Sequence, residues 1–142
     1  MIKRVVVCLI YRDKQLLLQL RDKKKNIIYP GKWGFFGGNV KIGETHLQAV
    51  KREMFEELNI KNFKHLKFIR FFFDTKTNSF FYIYILKLSE NVLQKEGSDF
   101  ALFTNYQFLK KRKSKKIGKF FEFADKRLMS IFKNYSKRFF EL

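Results

Sequence analysis

Between Gly38 and Ile60 the chain reads GNVKIGETHLQAVKREMFEELNI, and this stretch constrains the fold more than any other. Leu47, Val50, Met54 and Leu58 recur at three- and four-residue intervals, Thr45 is placed to cap an N-terminus, and nothing from His46 to Leu58 breaks a helix. The spacing predicts an amphipathic helix whose apolar stripe is buried. At about 100° per residue, Glu53, Glu56 and Glu57 fall within roughly 100° of arc, offset from that stripe, with Ala49 one turn earlier on the same side. Three carboxylates on one face repel one another and lower helix stability unless a cation sits among them. Their oxygens suit a hard divalent ion, Mg²⁺ or Mn²⁺. Zinc is disfavoured, because there is one cysteine and the two histidines, His46 and His65, lie far apart in the sequence.

The surroundings of this helix resemble the signature of the Nudix hydrolases: Gly, five residues, Glu, seven residues, Arg-Glu, an aliphatic residue, one residue, Glu-Glu, one residue, Gly, an aliphatic residue. Gly38, Glu44, Arg52, Glu53, Met54, Glu56, Glu57 and Ile60 stand in register with it, and Asn59 replaces the final Gly. That Gly ends the helix in a left-handed conformation, which Asn tolerates better than other non-glycine residues, so the replacement implies a small stability cost. The likeness extends to YPGKWGFFGG (Tyr29–Gly38), where Phe36 takes the place of a common proline, to LLLQLR (Leu16–Arg21), and to EGSDFALF (Glu96–Phe103).

Hydrolysis of a pyrophosphate bridge needs cations across the phosphates and a base that activates water. The resemblance implies that Glu53, Glu56 and Glu57 ligate the metal together with the Gly38 carbonyl. In the family one of these glutamates instead holds or deprotonates the attacking water, and Glu53 is the first candidate for that role. Glu96 is the candidate for a base outside the motif, with Glu122 behind it. Arg52 and Glu44 are expected to orient the ligating carboxylates and the loop before the helix. Gly37 and Gly38 allow close backbone approach to metal and phosphate. Arg21, at a strand end, is the candidate partner of a phosphate oxygen. Trp33 and Tyr29 are candidates for stacking a base, whereas Phe35 and Phe72 read more readily as packing.

At 142 residues and 46% hydrophobic, the chain suits a single domain spanning 1–142. No apolar run reaches the length of a membrane span, and VVVCLIY (Val5–Tyr11) reads as a buried strand rather than a signal peptide. The single cysteine, Cys8, excludes an intrachain disulfide and fits a reducing, cytoplasmic setting. The net charge of +18 favours polyanionic partners. From Phe103 onward there are 12 Lys/Arg against 3 acids, a net of +9, so this basic C-terminal third, which includes KKRKSKK (Lys110–Lys116), is the candidate for RNA contact, although charge alone does not choose among nucleotides, RNA, DNA and anionic lipid.

Strands are expected near Lys3–Tyr11, Leu16–Arg21, Gly34–Phe36, Lys67–Asp74 and Phe80–Leu88, with a polar turn over Thr75–Ser79 and a second helix over Phe120–Phe140. This pattern predicts an α/β fold, a layered α/β/α sandwich with the glutamate-bearing helix on a mixed sheet, which is also the Nudix architecture. The expected function is Mg²⁺-dependent cleavage of a nucleoside diphosphate linked to another group, foremost a nucleoside triphosphate pyrophosphohydrolase that cleans the nucleotide pool. Nucleotide-sugar hydrolysis and pyrophosphate or cap removal from RNA 5′ ends are the alternative reactions. A non-catalytic RNA-binding or regulatory module is the alternative of another class.

Overall fold

The Val5–Ile10 run is buried without interruption, as a strand covered on both faces should be. The computed structural model describes residues 1–13, 15–21, 31–89, 99–103, 112–114, 116–117 and 119–121. In chain order the elements are β1 (Lys3–Arg12), β2 (Gln15–Leu20), β3 (Trp33–Gly34), β4 (Phe36–Asn39), α1 (His46–Leu58), β5 (Leu66–Asp74), β6 (Ser79–Lys87), β7 (Asp99–Phe103), β8 (Arg112–Lys113) and β9 (Phe120–Phe121). The architecture is α/β, with strands in a mixed sheet and α1 packed on it. By packing, the chain falls into two compact units, one of Met1–Ile10 with Phe35–Glu96 and one of Tyr11–Gly34 with Gly97–Leu142.

In the first unit β1 is hydrogen-bonded to β4 and to β6, and β6 to β5. β4 runs antiparallel to β1, pairing Asn39 with Val5, Gly38 with Val6, Gly37 with Val7 and Phe36 with Cys8. β5 and β6 form an antiparallel hairpin closed by a turn at residues 75–78, with a register shift between Phe68 and Arg70. Asp74 organises that turn. Its carboxylate accepts the Lys76 backbone N–H at 3.3 Å and the Thr77 hydroxyl at 2.7 Å.

α1 packs against β4. Thr45 caps it in a reciprocal box: the Gln48 backbone N–H donates to the Thr45 hydroxyl at 3.1 Å, and the Thr45 N–H donates to the Gln48 side chain at 2.9 Å. Val50, Met54 and Leu58 are fully buried, and burial of each such side chain contributes about 1.5–3 kcal/mol. Leu47, expected in the same stripe, is instead 43% exposed. Periodicity gives the angular face of a residue but not how far along the helix its packing partner extends, and Leu47 sits in the first turn. Asn59 ends the helix at φ 58° and ψ 29°, and the N–H groups of Asn59 and Ile60 reach back to the Phe55 and Met54 carbonyls at 2.9 and 3.3 Å.

In the second unit β2 pairs antiparallel with β3, Gln19 facing Gly34, and with β7, Leu18 facing Ala101. Asp99 links β7 to the β8–β9 hairpin by accepting the Ser114 hydroxyl at 2.7 Å, and β8 pairs Arg112 with Phe121. The expected strand at Gly34–Phe36 is two short strands, β3 and β4. The second helix, expected to begin at Phe120, begins instead with strand β9 at Phe120–Phe121, and the rest of it lies outside the described residues.

The left-handed cap at Asn59 gives a direct test. Asn59→Ala places an ordinary Cβ in that conformation and is expected to lower stability by about 1 kcal/mol, a fall in Tm of roughly 4 °C, whereas Asn59→Gly should not destabilise. Thermal melts of the two variants decide it; equal melting temperatures would mean that the cap does not limit the helix.

Candidate functional site

One arginine gathers the acidic residues. Arg52, on α1, donates from Nε to Glu44 Oε2 at 2.7 Å and from Nη2 to Glu44 Oε1 at 3.0 Å, a two-pronged contact with the loop ahead of the helix. Its Nη1 donates to Glu53 Oε1 at 2.8 Å and to Glu56 Oε2 at 3.2 Å, one residue and one turn along the same helix. Nη2 also donates to the Asn39 backbone carbonyl at 2.9 Å, at the end of β4. A single guanidinium therefore ties the strand end, the loop and the helix face. The side chains of Arg52, Glu44 and Glu53 are 20%, 14% and 13% exposed, so the knot is shielded, whereas Glu56 at 44% stands open to solvent.

The electrostatics follow from these contacts. The Arg52 guanidinium, helped by the Lys41 backbone N–H at 3.0 Å, holds the Glu44 carboxyl down at about 2. Reciprocally, hydrogen bonding to Glu44 raises the Arg52 pKa. The cation that the clustered carboxylates require is thus supplied for Glu44, Glu53 and Glu56 from within the chain.

Glu57 is placed differently. On the helix it lies nearest the apolar stripe, between the glutamate face and Val50, and it is only 4% exposed. Its charge reaches Cys8, whose thiol pKa is raised first by complete burial and then by Glu57. Gly38 approaches the glutamates from the other side. A Cβ built on Gly38 would overlap the Glu53 carboxylate, and one on Gly37 would overlap the Val6 carbonyl. Only glycine lets the β4 backbone and the Glu53 side chain come this close.

Among the described residues no three acidic, imidazole or thiol side chains converge on one point as a ready metal-ligand group. Glu53 and Glu56 are turned to Arg52, which takes the electrostatic place of a cation. The donor set still fits a hard divalent ion: all its side-chain donors are carboxylate oxygens, and the Gly38 backbone lies in a space that a Cβ would fill. Such an ion would compete with Arg52 for Glu53 and Glu56.

Gly37, Gly38, Glu44, Arg52, Glu53, Glu56 and Glu57 thus lie within the first unit. Arg21 and Trp33 belong to the second. Arg21 is half-buried just after β2, its N–H donating to the Lys32 carbonyl at 3.0 Å. Trp33, the candidate for stacking a base, is fully buried. Phe35 is buried and Phe72 stacks on Phe81 at 5.3 Å, as packing residues do. Tyr29, Glu96 and Glu122 lie outside the described residues. Sequence reasoning missed the backbone contact from Arg52 to Asn39. Its acceptor is a main-chain carbonyl that any residue would supply, so the side-chain pattern carries no trace of it.

A sequence model of the NUDIX domain matches residues 1–122. The chain is 34% identical over 56 residues to a nucleoside triphosphatase, NudI, of an Enterobacter species; that match covers 39% of this chain and spans only 40% of the relative's length. It is 27% identical over 95 residues to an 8-oxo-dGTP diphosphatase of Buchnera aphidicola, covering 66% of this chain and 70% of that protein. Among solved structures, one from Deinococcus radiodurans superposes with a TM-score of 0.71 at 25% identity, covering 93% of this chain and 82% of the other. A Nudix-family hydrolase of Clostridium perfringens gives 0.68 at 11% identity, with 96% and 97% covered, a likeness of fold alone. With the motif residues gathered around Arg52 and the domain model matched over most of its length, the chain belongs to the Nudix hydrolase family.

Proposed function

We propose that this chain is a single catalytic domain, acting in the cytoplasm as a Mg²⁺-dependent pyrophosphohydrolase of nucleoside triphosphates, with Mn²⁺ able to substitute. The observation that carries the reading is the Arg52 knot, which holds Glu44, Glu53 and Glu56 on one side of α1 beside the Gly38 backbone. The names of the two curated relatives, a nucleoside triphosphatase and an 8-oxo-dGTP diphosphatase, support the substrate class.

In this reading the Gly38 carbonyl, Glu53, Glu56 and Glu57 hold the ion, which when bound withdraws charge from the phosphate oxygens. Glu53, pressed against the Gly38 backbone, is the group we assign to hold the attacking water and accept its proton as the water oxygen bonds to phosphorus and the bridging P–O bond breaks. Arg52 and Glu44 are positioning residues, because both act through the other carboxylates rather than on the substrate.

The deciding assay incubates the full chain with a panel of nucleoside triphosphates, nucleotide sugars and 5′-triphosphorylated RNA, with Mg²⁺ or Mn²⁺, and identifies products by mass spectrometry. Release of pyrophosphate and a nucleoside monophosphate is expected from a triphosphate. Glu57→Gln is expected to lower that rate about a hundredfold or more; undiminished turnover in this variant would remove the proposed site. Arg52→Lys keeps the charge but loses the fork, so a loss of roughly 10- to 100-fold is expected with the fold intact by circular dichroism.

Acid stability tests the positioning contact separately. Glu44 has an ordinary value near 4.5 in the unfolded chain and about 2 when folded. The folded value is the lower one, so the contribution is fully present above 4.5 and is lost as the pH falls towards 2. Urea midpoints measured across this window should fall more steeply for the wild type than for Glu44→Gln. Parallel curves would mean that Glu44 is not held by Arg52 in solution.

A further inference from the structure

The loop that carries Glu44 has little packing of its own. Between the end of β4 and the Thr45 cap, Lys41, Ile42 and Gly43 are exposed, Ile42 completely so. Its geometry therefore depends on what holds its two ends. At the near end the Val40 backbone N–H donates to the Arg4 carbonyl at 2.8 Å, which ties the loop to β1. At the far end the first turn of α1 offers the side chains of His46, Leu47 and Gln48, and of these three only His46 is half-buried.

His46 lies among rings of the β5–β6 hairpin. It stacks on Tyr82 with centroids 4.4 Å apart and planes 12° from parallel, and it meets Phe68 at 5.3 Å. Its Nδ1 shares a hydrogen bond with the Tyr84 hydroxyl. The Arg4 guanidinium lies 5.6 Å over the same Tyr82 ring. Both ends of the loop thus converge on Tyr82, one through Arg4 and the other through His46. Burial, and then the charge of Arg4, hold the His46 imidazole below its ordinary value, so the neutral ring is the form that stacks.

We propose, on the strength of the pyrophosphohydrolase reading, that His46 is a positioning residue: by fastening the first turn of α1 to Tyr82 and Tyr84 it closes the loop that brings Glu44 to Arg52. Glu44 stands two residues ahead of His46, and its two-pronged contact needs both carboxylate oxygens in line with Nε and Nη2 of the arginine. Release of the ring lets that end of the loop drift, and a misplacement of about 1 Å at a supporting group can lower a rate on the order of a hundredfold. The effect passes through Glu44 and Arg52 rather than through a contact with substrate.

Two measurements test this, one of them independent of turnover. Followed by ¹³C NMR in the full chain, the Glu44 carboxyl should titrate at about 2 in the wild type and nearer 4.5 in His46→Ala, because a loosened fork no longer holds it ionised. In the pyrophosphate-release assay His46→Ala is expected to lower kcat about tenfold with KM little changed, and to add nothing further in an Arg52→Lys background. His46→Phe keeps the stack and should recover most of the loss. Tyr82→Leu removes the ring from the other side of the stack and should reproduce the loss, which keeps the test decisive if circular dichroism shows His46→Ala unfolded. An unshifted Glu44 titration in either folded variant overturns the proposal, as does an undiminished kcat, or losses from His46→Ala and Arg52→Lys that multiply. A wild type that releases nothing from any substrate would remove the hydrolase reading, and the Glu44 titration would still decide whether His46 holds Glu44 to Arg52.

Discussion

The first unit depends on the guanidinium of Arg52. Three carboxylates on or beside one helix face would push the N-terminal loop and the helix apart, and Arg52 converts that repulsion into a set of charge-assisted hydrogen bonds. Its planar fork matches the Glu44 carboxylate with two parallel donors, and its remaining donors reach Glu53, Glu56 and the Asn39 carbonyl. A lysine has three donors but all on one nitrogen, so it could not match the carboxylate with a parallel pair while reaching the others. The shape of the arginine, as much as its charge, fixes where β4 ends and how α1 enters.

The same arrangement divides the glutamates into two kinds. Glu44, Glu53 and Glu56 share the Arg52 guanidinium as a partner, while Glu57 is set into the edge of the apolar stripe. On the proposed reading an ion would have to take Glu53 and Glu56 from Arg52, because these carboxylates are turned to the guanidinium.

Much of the first unit was legible in the sequence because its signals are local. The Thr45 N-cap and the buried Val50, Met54 and Leu58 follow from spacing and side-chain chemistry within one helix, and the left-handed Asn59 from the motif position it occupies. The β5–β6 hairpin was legible from two apolar-aromatic runs around a polar turn. What escaped was set by contacts between distant segments. Leu47 has the angle of a core residue yet is 43% exposed in the first turn of α1. The exposure of Phe68, Phe71 and Phe73 escaped for the opposite reason, since a run of aromatic residues reads as core until the sheet edge is known.

The juxtaposition of Cys8 and Glu57 has a consequence of its own. A thiol in the middle of β1, sealed from water and kept protonated by burial and by the neighbouring carboxylate, carries an S–H bond whose stretching frequency responds to the local electric field. Because the chain has one cysteine, that absorption is unmixed. Infrared spectroscopy of the native protein can therefore follow the charge on Glu57 from inside the core, with no label attached and no residue of the site altered.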